Sequence, residues 1–143
     1  MGKQFLIKKL AESYEIQKSY DRKDYFEAVM KCRIYLESWL VEYINVVLFP
    51  YDKKSIEGNR QYIREHYNDM FIQIDWLKRQ GHLNDADFDN LNKIRVFCDN
   101  VIRKADIFKT VTKDELDRYI EAAIRYCQKI KELTQQSIEN PAS

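Results

Sequence analysis

The sequence predicts an all-α fold, an antiparallel bundle of about five helices, on three observations. Helix breakers are scarce: three Gly and two Pro occur in 143 residues, and one of the prolines stands among the last three. Strong helix formers (Leu, Ile, Glu, Lys and Gln) outnumber Val and Thr. Apolar residues recur at spacings of three and four along five separate segments, the signature of helices buried on one face. Five such stripes require one shared core, and antiparallel packing with short turns satisfies them economically. Residues 1–143 therefore read as a single domain.

The first helix is expected over about residues 4–20, with Phe5, Leu6, Leu10, Tyr14 and Gln17 along one side. Ser19 to Asp24 is a polar turn in which Asp21 or Asp24 can cap the next helix. That second helix spans about 23–48, with Tyr25, Val29, Cys32, Leu36, Trp39, Leu40, Tyr43 and Val47 on its buried stripe, and Pro50 ends it. A third helix is expected from Ile56 through Arg79, on Ile56, Asn59, Ile63, Tyr67, Met70, Ile74 and Leu77, with Gly81 as its C-terminal stop. Leu83-Asn84-Asp85 offers a new N-cap to a fourth helix carrying Phe88, Leu91, Ile94, Cys98 and Val101. Thr112 and Glu115 have the spacing of a capping box and open a fifth helix, to about 136, with a frayed tail over 137–143.

Between Trp39 and Phe49 the second helix is apolar on nearly every side, interrupted by Glu42 and Asn45. A surplus apolar face either lies between other helices or forms a subunit interface, so a homodimer through Trp39 to Phe49 is one expectation.

The charge balance, 24 basic against 23 acidic residues, disfavours indiscriminate coating of nucleic acid and leaves room for a local basic site. Cys32, Cys98 and Cys127 fall on different helices and form no CxxC pair; they are expected as packed, reduced thiols in a cytoplasmic protein, with no metal site and no cofactor. No signal-peptide h-region follows Met1, Leu6 breaks the myristoylation pattern, and the apolar run Ile44 to Phe49 is too short to span a bilayer, so no membrane partner is expected.

Phosphate loops, HExxH and GxSxG are all absent. With two histidines in the chain, His66 and His82, general acid–base options are few. Arg60 and His66 form an Arg-x5-His pair, a weak catalytic alternative, because six residues of helix rotate the two side chains about 240° apart. Residues 93–113 carry Lys93, Arg95, Arg103, Lys104, Lys109 and Lys113 against Asp99 and Asp106, a local excess of four positive charges. Arg95, Asp99 and Arg103 stand at i, i+4 and i+8 on one ridge, which reads either as a solvated ion-pair ladder or as an anion site joined by Asn100 and Lys104. Arg33 and Glu37, one residue from the second helix's apolar stripe, read either as a boundary ion pair or as a polar patch in a groove facing the fourth helix.

Two segments carry a family resemblance. Tyr25-Phe26-Glu27-Ala28-Val29-Met30-Lys31-Cys32-Arg33-Ile34-Tyr35-Leu36-Glu37 and Leu91-Asn92-Lys93-Ile94-Arg95-Val96-Phe97-Cys98-Asp99-Asn100-Val101-Ile102-Arg103, with the Thr112–Glu115 helix start, resemble the HEPN superfamily of nucleic-acid-handling and defence proteins. The resemblance implies a helical bundle that binds RNA, a nucleotide or a protein partner in a defence, toxin–antitoxin or mobile-element setting. It also implies metal-independent ribonuclease chemistry where the family's His is kept. Here Cys98 stands where the family often has Gly, Asp99 where it has Asn, and Arg103 where it has the His. An arginine stays charged at neutral pH and holds phosphate rather than accepting a proton, so the resemblance points to a non-catalytic binding remnant.

Overall fold

A computed structural model describes residues 14–49, 56–104, 106 and 110–139. The described part of the first helix, α1, covers 14–21. It is followed by α2 (Tyr25–Leu48), α3 (Ile56–His66), α4 (Met70–Arg79), α5 (Asp85–Arg103) and α6 (Lys113–Glu139), and the described residues contain no strand. The all-α class is as expected. Phe5, Leu6 and Leu10, the side chain of Ile56, and Lys109 lie outside the described residues. α6 runs through Glu139.

α2, α4, α5 and α6 each start where a short polar side chain satisfies a free backbone donor. Asp24 accepts from the Glu27 amide at 3.2 Å, Asn84 from the Asp87 amide at 2.7 Å, and Thr112 Oγ1 from the Glu115 amide at 3.1 Å. The turn into α2 places Lys23 at φ 65°, in the left-handed region that favours glycine.

The expected third helix is instead two. The chain leaves helical geometry after His66, and Asp69 adopts extended backbone (φ −129°, ψ 141°) and caps α4 by accepting from the Phe71 amide at 3.1 Å. Asn68-Asp69 supplied the competing signal, a pair of cap formers inside an otherwise continuous stripe. Ile63, Met70, Ile74 and Leu77 are all fully buried, so the apolar register runs across the break and conceals it. Gln73, itself buried, clasps the junction by donating from Nε2 to the Tyr67 carbonyl at 2.8 Å. α4 stops at Gly81 as expected: with φ 81°, its amide donates to Lys78 O at 3.0 Å and the His82 amide to Leu77 O at 2.8 Å, a Schellman closure.

α2 is the axis of the bundle. It packs against α3, α4 and α5, and most extensively against α6. Leu36, Trp39, Leu40 and Ile44 are its fully buried anchors, and they meet Ile74, Leu91, Ile120 and Ile130 in one core cluster. The Trp39-to-Phe49 segment is consumed by this packing: Trp39 to Val41 and Tyr43 to Asn45 are buried within the chain, and Val46 to Phe49 are partly buried against the core. The surplus apolar face thus lies largely between helices. Cys32, Cys98 and Cys127 are free, buried thiols. No helix among the described residues is long and apolar enough to cross a membrane.

Candidate functional site

α5 presents two opposite flanks, one against α2 and one toward α6, and the sequence-predicted residues divide between them. On the α2 flank, Arg33 Nε donates to Asp99 Oδ1 at 3.0 Å. The second Asp99 oxygen accepts from Arg95 Nη1 at 3.4 Å, while Arg95 Nε and Nη2 both donate to Asn92 Oδ1, at 3.0 and 2.9 Å. Glu37 Oε2 lies 3.3 Å from Arg33 Nη1, but Nη1 is buried and not aligned to hydrogen-bond with it. The Arg95 guanidinium also sits 5.4 Å from the centre of the Phe71 ring on α4.

Arg33 and Glu37 therefore do face the fourth predicted helix. One carboxylate is shared by two arginines from two helices, with Glu37 alongside, so the cluster is internally neutralised and largely shielded from solvent. Such a network orients helices; it leaves little positive charge for a ligand.

The predicted ridge splits at this point. Successive steps of four residues drift by about 40° around a helix, which carries Arg103 away from Arg95 and Asp99. Asn100, Arg103 and Lys104 are exposed, and Lys104 forms the α5 C-cap by donating its amide to Asn100 O at 2.9 Å. Part of their cationic character suits the negative end of the helix dipole.

The Arg60–His66 pair does not converge. Arg60 forms an ion pair with Glu42 of α2. His66 stacks on Tyr62, ring centres 4.0 Å apart, and its Nδ1 lies 2.9 Å from the Tyr62 carbonyl at the exposed end of α3.

On the other flank, α5 and α6 both lean on α2 and leave a groove of about 710 Å³ between them. Two contacts bridge α5 and α6 near its ends. At one, Phe97 and Tyr119 stack with ring centres 4.1 Å apart and planes 7° from parallel. At the other, buried Asp87 accepts from Lys129 Nζ with both oxygens at 2.8 Å and from the Tyr126 hydroxyl at 3.1 Å, while Asn90 donates to that hydroxyl at 2.9 Å. Burial, ahead of the neighbouring Asp87 charge, pushes the Tyr126 phenol up, which keeps it a donor. Ala122 lies between these two ends, with Lys93 lining the α5 side and Arg118 and Arg125 the α6 side.

Lys93 belongs to the basic segment read from the sequence, but Arg118 and Arg125 lie beyond it. Their signal was the dipeptide Arg-Tyr repeated seven residues apart, at 118–119 and 125–126, which sets two arginines and two tyrosines on adjoining faces of one helix. No cluster of His, Cys, Asp and Glu among the described residues is arranged to hold a metal ion.

The chain matches no family model, no curated protein sequence and no solved structure.

Proposed function

We propose that this chain is a non-catalytic, HEPN-like helical module that binds RNA along the solvent-facing edge of α5. The defence or toxin–antitoxin setting is the one the Tyr25–Glu37 and Leu91–Arg103 segments imply. Lys93, Asn100 and Lys104 fall at i, i+7 and i+11, within about 40° of one another around the helix, and Arg103 lies about 60° from Asn100 on the solvent-facing side. Eleven residues span about 16 Å, enough to meet several phosphates of one strand.

The observation that carries this reading is the contrast in charge pairing. Arg33 and Arg95 are neutralised by Asp99 and its neighbours, whereas Lys93, Arg103 and Lys104 are exposed and form no ion pair among the described residues. Arg103, in place of a histidine, supplies a fixed charge for a phosphate and no base for hydrolysis.

Fluorescence anisotropy with a labelled single-stranded RNA, run across a salt series, tests the reading. Replacing Arg103 and Lys104 together by Ala is expected to weaken binding about tenfold or more and to flatten the salt dependence. Unchanged affinity in that double variant would sink the assignment.

A further inference from the structure

We infer that α3 is a displaceable cover over the C-terminal half of α2, which opens as a unit while α2, α5 and α6 stay packed. The device is independent of RNA binding on the α5 edge, because none of its residues belongs to that edge.

Of the helices from α3 to α6, α3 is the least anchored. α4, α5 and α6 each pack extensively against two or more neighbours, whereas α3 does so against α2 alone among the described residues. The buried side chains described on α3 are Asn59 and Ile63, and Tyr62 is 43% exposed. Its buried apolar anchorage therefore rests on Ile63, where the shorter α4 buries Met70, Ile74 and Leu77.

The face of α2 that α3 covers is partly polar. Glu42, Asn45 and Phe49 stand at i, i+3 and i+7, on one side of the helix. Arg60 pairs with Glu42, and the Tyr62 ring meets Phe49 edge-on with centres 5.9 Å apart. Asn45, on the same side, is buried. Asn59, one turn before Ile63 on the buried side of α3, has no hydrogen-bond partner for its buried Nδ2.

This composition favours opening. Water replaces the partners of Arg60 and Glu42 when α3 lifts, so hydration offsets most of what the ion pair contributes. Asn59 Nδ2 gains in water the partner that it lacks in the closed form. The apolar cost of opening is concentrated in Ile63 and the Tyr62–Phe49 contact.

The structure also sets where opening stops. Gln73 Nε2 ties Tyr67 to α4 by donating to its carbonyl at 2.8 Å, and Tyr67 meets Trp76 edge-on with ring centres 5.4 Å apart. Asn68 and Asp69 lie outside helical geometry. His66 is therefore the last residue of the opening unit, and α4 keeps its packing on α2 and α5. The open form presents Glu42, Asn45 and Phe49 to solvent.

Hydrogen exchange of the full chain, followed by mass spectrometry at low urea concentrations, provides the test. Amides of residues 60–66 are expected to exchange about a hundredfold faster than core amides of α2, α5 and α6, with a shallower dependence on urea. They should still exchange more slowly than an unstructured peptide of the same sequence. Ile130→Val weakens the core beneath α6 and should speed exchange of α6 about fivefold while leaving α3 unchanged, because the open form keeps that packing. Asn59→Leu removes the unpaired amide and should slow α3 exchange about tenfold.

The proposal is overturned if α3 exchanges at the rate of α2 or at the rate of the unstructured peptide. It is equally overturned if Ile130→Val speeds α3 as much as α6, or if Asn59→Leu folds normally and fails to slow α3. Should Asn59→Leu disturb the fold by circular dichroism, the unsubstituted chain and Ile130→Val decide the question.

Discussion

The two flanks of α5 hold similar residues in opposite electrostatic states. Against α2, Arg33 and Arg95 are each about four-fifths shielded and converge on Asp99, so charge is matched within the chain. Toward α6, Lys93, Arg118 and Arg125 are exposed around a gap and have no such partner among the described residues. The difference teaches that counting arginines locates neither flank's role. What matters is which carboxylate the fold brings to each one: matched charge orients helices, and unmatched charge at a concavity is available to a ligand.

The sharpest way to break this comparison is to remove the shared carboxylate. Asp99→Ala leaves two partly buried guanidiniums without their common partner, and is expected to destabilise the chain by about 2–3 kcal/mol in urea unfolding. A loss below 0.5 kcal/mol would show that the α2 flank is no scaffold.

Asp87→Ala should cost less, about 1–2 kcal/mol, because its partner Lys129 is nearly half exposed and can return to water.

A change of pH tests the core beneath both flanks. Burial, with smaller contributions from Cys98 and Cys127, pushes the Cys32 thiol well up, and burial pushes Cys98 from 9.0 up to about 12. A thiol raised in the folded state contributes full stability below its ordinary value and loses that contribution as pH climbs toward the folded one. The urea midpoint should therefore fall between pH 9 and 12, and at pH 8 iodoacetamide should label these cysteines no faster than the chain unfolds. Rapid labelling at pH 8 would contradict the packing described.

The smallest expected change sharpens the contrast from the other side. Arg118→Ala with Arg125→Ala should shift stability by less than about 0.5 kcal/mol in the same unfolding measurement. A large stability loss would mean that these arginines are structural after all.

The sequence made α2, α5 and α6 legible because each carries a long stripe and a polar cap, so period and boundary agree. The α3–α4 break was hidden because Ile63, Met70 and Ile74 keep their register across it; the cap at Asp69 and the clasp from Gln73 are tertiary choices that periodicity does not record. The same limit explains the site. Arg33 with Glu37 and Arg95 with Asp99 were visible as pairs, yet that the two pairs meet through one carboxylate depends on how α2 and α5 pack. Arg118 and Arg125 look like ordinary solvated residues of an amphipathic helix until α5 is placed beside them and Ala122 leaves the space open.

The position of α2 has a consequence for how the chain reaches its native state. Its most extensive partner, α6, begins at Lys113, so residues 49–112 separate the two along the chain. During synthesis, Leu36, Trp39 and Ile44 stay without a complete cover until residues 113–139 have left the ribosome. Local helices can form early, but closing the bundle waits on this long-range docking. A chain stalled before Lys113 would present the apolar side of α2 to whatever is nearby, and would be a substrate for chaperones or proteases rather than a partly working module.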